Sequence, residues 1–102
     1  MTAELNDALL SRTLTLPAIL DLKAAAPLAE RLLAARGSTL TLDASAVERM
    51  GGQCLQVLLS AVSTWKADGA SLSIAEPSAG FTAGLSLLGL TEDELMTKEL
   101  QA

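Results

Sequence analysis

TLTLDASAVERMGGQCLQVLLSAVSTW occupies residues 39–65, and its apolar period changes once along its length. Leu40-Thr41-Leu42 alternates and stops at Asp43, the pattern of a short buried strand. After Gly51-Gly52 the apolar residues Leu55, Leu58, Leu59, Val62 and Trp65 recur at helical spacing and form one stripe. The stretch therefore predicts a strand, a connecting loop, a glycine pair and an amphipathic helix. The first turn of such a helix has backbone N–H groups without intrahelical acceptors. With the loop before it, that helix start is the place in the chain to look for function.

Upstream, Leu14 and Leu16 alternate with Thr13 and Thr15, a half-buried strand that Pro17 ends. Ala18-Ile19-Leu20 reads as a second short extended piece. In DLKAAAPLAERLLAARG, residues 21–37, Ala25, Leu28, Ala29, Leu32 and Leu33 make a helical stripe. Pro27 is tolerated only in a first turn, so the spacing predicts a helix starting near Lys23–Ala26. Gly37 is its expected cap, and Arg36 its last-turn cation.

Downstream, Asp68-Gly69 ends the central helix, and SLSIA, residues 71–75, is a further strand. Glu76-Pro77-Ser78 opens a third helix with Pro77 in its first turn, Phe81, Leu85 and Leu88 on its apolar face and Gly89 at its end. Gly84 weakens that helix by about 1 kcal/mol relative to alanine. Thr91 with Glu94 forms a capping box that starts a last short helix. Leu95, Met96 and Leu100 fasten it to the body, and Lys98 lies near its end. Strands alternating with helices predict an α/β fold, a small, mostly parallel sheet of about four strands covered by about four helices. Residues 1–8 read as a polar lead-in and 9–102 as a single domain.

Composition narrows the function. Half of the 102 residues are hydrophobic but only 2% are aromatic, so the core is built mainly from Leu, Ala and Val. A net charge of −5 argues against nucleic acid and anionic membrane surfaces as partners. The chain has no histidine and one cysteine, Cys54. It therefore has no internal disulfide, and a metal site, a cofactor or a cysteine nucleophile with an imidazole base is not expected. The N-terminus carries acids early and no long apolar run, and no stretch reaches the ~20 residues a membrane helix needs. A cytoplasmic location follows as an expectation.

LDASAVERMGGQCLQVLLSAV resembles the signature segment of the STAS domain, the fold of anti-sigma-factor antagonists. Asp43, Ser45, Val47 and Met50 match the approach to that family's motif, and Leu55, Val57, Leu58 and Leu59 match its helix. ADGASLSIAEPSAGFTAGLSLLGL also resembles the family, so the likeness runs from Leu14 to about Met96. The family's Asp-Ser-Ser/Thr-Gly falls here on Gly51, Gly52, Gln53 and Cys54, with Gln53 at the phosphorylatable position. The resemblance thus implies a docking loop and helix without the phospho-switch, because an amide is no substitute for a hydroxyl nucleophile. Cys54-Leu55-Gln56-Val57-Leu58-Leu59 and Thr64-Trp65 are also similar to short STAS proteins found with chemotaxis proteins in alpha-proteobacteria. That likeness implies docking on a signalling protein such as a histidine kinase.

The expected partner-binding residues are Glu48, Arg49, Gly51, Gly52, Gln53 and Gln56, with Ser60 and Ser63 extending the same face. Each has a plainer reading. Gly51-Gly52 is either bare surface for a partner or a tight turn; Gln53 either contacts a partner or faces water; Glu48 and Arg49 are either contacts or a solvated pair. Trp65 belongs to core or interface, and Cys54 is a small buried residue or a thiol activated by the helix start. Asp43 lacks a catalytic companion and is read as an acceptor that fixes the following loop. A non-enzymatic interaction module is the first reading. An accessory subunit on the ATPase of a lipid-transporting ABC transporter is the alternative, a cysteine enzyme the third, and a homodimer is compatible with each.

Overall fold

The computed structural model describes residues 11–97. The lead-in expected over residues 1–8, and the roles expected of Lys98 and Leu100, lie outside the described residues. In chain order the elements are β1 (Ser11–Thr15), β2 (Ile19–Leu20), α1 (Leu22–Ala34), β3 (Thr39–Asp43) and β4 (Arg49–Met50). They continue with α2 (Gly52–Asp68), β5 (Leu72–Ala75), α3 (Ala79–Leu87) and α4 (Glu92–Thr97). The expected α/β architecture is present, with its parallel strands divided three and two.

The larger sheet has the order β1-β3-β5, all parallel, with β3 in the middle. Its register places Leu14 beside Leu42 and Leu42 beside Ile74, while Thr13, Thr41 and Ser73 line up on the opposite face. Period-two alternation thus gives the sheet one leucine-rich face under the helices and one hydroxyl-lined face. Strands β2 and β4 form a separate parallel ribbon, pairing Ile19 with Arg49 and Leu20 with Met50. The core contains Leu16, Leu20, Leu40, Leu42, Leu58, Phe81, Leu85 and Leu95, all fully buried. Trp65 is core: it is buried, and its indole N–H donates to the Ser38 carbonyl at 2.8 Å.

Two helix starts differ from expectation. α1 begins at Leu22, because the Asp21 side chain accepts from the Ala24 N–H and caps it. Pro27 is then the sixth helical residue, not part of the first turn. The helix survives it because Pro27 is on the exposed side, while Leu28 and Leu32 hold the buried side. The end differs too. Ala35 is the C-cap, Gly37 turns the chain two residues later at φ +90°, and Arg36 bonds Asp68 at 2.8 Å instead of serving α1's last turn. In α3 the N-cap is Ser78, whose Oγ accepts from the Phe81 N–H, so Pro77 precedes the helix.

Other ends match their sequence signals. Gly69, in the left-handed region at φ +69°, closes α2. The Gly89 and Leu90 N–H groups fold back onto the carbonyls of Ser86 and Leu85 at the end of α3. The capping box is formed in both directions, Thr91 N–H to Glu94 and Glu94 N–H to Thr91.

Candidate functional site

Three backbone devices hold the segment between β3 and α2. Asp43 accepts from the Ser45 N–H at 3.0 Å, the role read for it, and that bond holds its carboxyl below the usual range. Ser78 joins the same loop from the other side. Its N–H donates to the Ala44 carbonyl, and its hydroxyl donates to Val47. The Glu48 N–H donates to Ala18 at 2.7 Å and the Gly51 N–H to Leu20 at 2.9 Å, on either side of the β2–β4 ladder. Residues 43–51 are therefore tied to two neighbouring segments, one on each side, although they carry little regular structure.

The side chains on this frame point outward. Glu48, Arg49, Gly51, Gly52, Gln53 and Gln56 are all exposed, as is Ser60; Ser63 is half-buried. Gly51, Gly52, Gln53 and Arg49 share one open groove of about 530 Å³ with Ile19, Leu20, Asp21, Leu22 and Met50. Gln56, Glu48 and Ser60 are not part of its lining.

Neither glycine is required by the backbone. Gly51, the N-cap of α2, has φ −104° and ψ 176°, an extended conformation open to any residue. A Cβ at Gly52 would meet nothing within 4 Å. The tight-turn reading of this pair therefore has no geometric support. Gly51 offers no side-chain cap, and the first turn of α2 contains no acid, so the positive end of the helix is left uncompensated by its own sequence.

Cys54 lies directly under this surface and is fully buried. Its thiol contacts the Asp21 carbonyl at 3.3 Å; burial first, and the Asp21 charge second, push it up from the ordinary cysteine range. A thiol so held is a poor nucleophile at neutral pH. We expect a disulfide reagent such as DTNB to leave the native chain unmodified over minutes and to titrate one thiol after denaturation. Rapid reaction of the folded protein would contradict the burial. Among the described residues, no group of three or more His, Cys, Asp or Glu could hold a metal ion.

The other wall of the site was not legible in the sequence. α3 lies along β4 with Gly80 over Glu48 and Gly84 over Met50. A Cβ at Gly80 would stand 2.7 Å from the Glu48 carbonyl carbon, and one at Gly84 would stand 3.1 Å from the Met50 Cβ. The available signal was the spacing: glycines four apart share a helix face, and such a face permits close backbone approach. Gly84 therefore has a packing role beyond its helix-weakening effect.

A family model described as Mlab, STAS domain matches residues 4–98, nearly the whole chain. No curated protein and no solved structure matches it. Among the described residues, no helix is long and apolar enough to cross a membrane.

Proposed function

The chain belongs to the STAS domain family, and from that premise we propose that it docks on a protein of a bacterial signalling complex through the corner Glu48–Gln53 and the adjoining face of α2. STAS domains are in general protein-interaction modules without catalysis of their own. The observation that carries the reading is the bare, exposed Gly51-Gly52 step on a backbone held from both sides. A surface of this kind lets a partner approach the main chain closely, and ordering it on binding loses little conformational entropy.

Neither Gly52 nor Gln53 carries a hydroxyl, so docking here is constitutive with respect to phosphorylation at those positions. Its strength follows partner concentration. A chemotaxis histidine kinase in the cytoplasm is the partner class that best fits the sequence likeness. A lipid-transport ATPase is the competing outcome.

The test is affinity capture from the native cell with Gly52→Arg and Gln53→Glu as controls. Folding should be nearly unchanged in both. Arginine gains about 1 kcal/mol of helix propensity over glycine, which its charge at a helix start largely offsets. Glutamate is favoured at a helix start. Both variants are expected to lose the partner. Capture that survives both places the docking face elsewhere, and the captured protein separates a kinase from a transporter ATPase.

A further inference from the structure

Helix α1 carries more apolar surface than the core uses. Leu28, Leu32 and Ala35 are buried and hold the helix on the core. A second stripe runs beside them: Leu22, Ala26, Ala29 and Leu33, spaced four, three and four residues apart. Leu22 is 72% exposed and Leu33 66%. Ala26 is exposed as well, and Ala29 is half-buried. Alternating steps of four and three make the seam along which one helix pairs with another. Small residues at its centre let two such helices approach to about 8 Å. A lone exposed leucine calls for no explanation, but two that end one seam do.

The order of residues selects the second helix. Leu-Ala-Ala-Leu at these spacings reads the same from either end. A second copy of α1 laid antiparallel, with a two-fold axis crossing between Pro27 and Leu28, therefore sets Leu22 against Leu33 and Ala26 against Ala29. The charges beside the seam obey the same symmetry. Lys23 follows Leu22 directly, and Glu30 follows Ala29. Both are exposed, and neither makes an ion pair among the described residues. In the antiparallel pair, Lys23 of each copy lies beside Glu30 of the other, and flanking pairs of this kind set orientation in paired helices. A parallel pair would level lysine with lysine and glutamate with glutamate. The other side of the seam borders α2, where Ala29 and Leu33 share a groove of about 250 Å³ with Val57, Ser60 and Thr64. Its one charged residue, Arg36, is bonded to Asp68. α2 has no charged residue between Gly52 and Trp65, so no acid on that strip repels a second copy of a chain with net charge −5.

We propose that the outer seam of α1 is a homodimer contact. Two copies pair antiparallel through Leu22, Ala26, Ala29 and Leu33, and Lys23 and Glu30 exchange across the axis. The contact goes beyond the docking reading and does not depend on it. With the strip of α2 beside it, a helix about 20 Å long covers roughly 800 Å² over both copies, below the ~1,200 Å² of a stable complex. The dimer is therefore weak, with a Kd on the order of 10–100 µM.

Sedimentation equilibrium of the full chain from about 5 to about 500 µM reads the dimer directly. The weight-average mass should rise from that of one copy towards that of two. Leu33→Glu should remain monomeric throughout, with an unfolding midpoint near the parent's because position 33 is exposed. Lys23→Glu and Glu30→Lys should each weaken the dimer by about fivefold, since each sets like charges together twice, and the double exchange should restore it. A parent chain that is still monomeric at about 500 µM overturns the proposal. So does a Leu33→Glu chain that dimerises like the parent. A dimer that neither single reversal weakens, or that the double exchange fails to restore, overturns the antiparallel seam.

Discussion

Trp65→Ala is expected to lower the unfolding free energy by about 3–5 kcal/mol, the range for deleting a large buried aromatic. A domain of this size has about 5–15 kcal/mol in total, so the loss is a large share of it and the unfolding midpoint should fall far below the parent's. Two effects combine. The ring is buried between α2 and the α1–β3 region, and removing it leaves a cavity beside Leu32 and Ala61, which line the same groove. The Ser38 carbonyl also loses the indole N–H at 2.8 Å. Trp65→Phe separates the two, since it keeps most of the volume and removes the donor. Its expected cost is about 1–3 kcal/mol. Urea unfolding followed by circular dichroism checks both variants, because Trp65 is the chain's only tryptophan and fluorescence would be lost. Equal losses in the two variants would assign the whole effect to the hydrogen bond.

Gly80→Ala is expected to lose about 2 kcal/mol, although alanine is the better helix former by about 1 kcal/mol. The sign follows from what the new methyl group meets. It would stand 2.7 Å from the carbonyl carbon and Cα of Glu48, and these are backbone atoms that no rotamer change can move. The Glu48 N–H is itself bonded to Ala18 at 2.7 Å, so the strain passes into the β2–β4 ribbon. Partner binding should weaken along with stability, since the displaced segment carries the docking corner. Gly84→Ala is the milder comparison, with its nearest contact the Met50 side chain at 3.1 Å. If Gly80→Ala unfolds at the parent's urea midpoint, α3 does not lie as close to β4 as described.

Elements whose signal is local were readable from the sequence. β3 has its own alternation, α2 has a glycine at each end and a leucine stripe between, and the last helix has a reciprocal capping box. Prolines were harder to place. Pro27 and Pro77 were both read as first-turn residues, and in each helix the true start was set by a capping side chain, Asp21 or Ser78. A proline limits where a helix is comfortable, whereas a cap fixes where it begins. The β4 strand could not be read at all. Arg49-Met50 is too short to show a period, and its partner strand lies about thirty residues upstream, so only tertiary pairing defines it. Of the candidate site, the exposed rim from Glu48 to Gln53 was legible as a strand–loop–helix junction. The apolar stripes were read too wide, because helical spacing alone does not say how far round a helix the core reaches: Leu33 and Leu88, read as apolar-face residues, are exposed.

The strand order β1-β3-β5 also bears on how the chain is made. No two adjacent strands are joined by a hairpin: Ser11 waits for Thr39, and Leu40 for Leu72, separations of 28 and 32 residues. At ~5–20 residues per second of synthesis, Leu14 of β1 remains without its sheet neighbour for seconds on the ribosome. Topologies dominated by such distant pairings fold slowly, because loop closure precedes any reward from contact. During that interval a nascent chain with half its residues apolar offers chaperones and stray copies the same strand edge that β3 later covers.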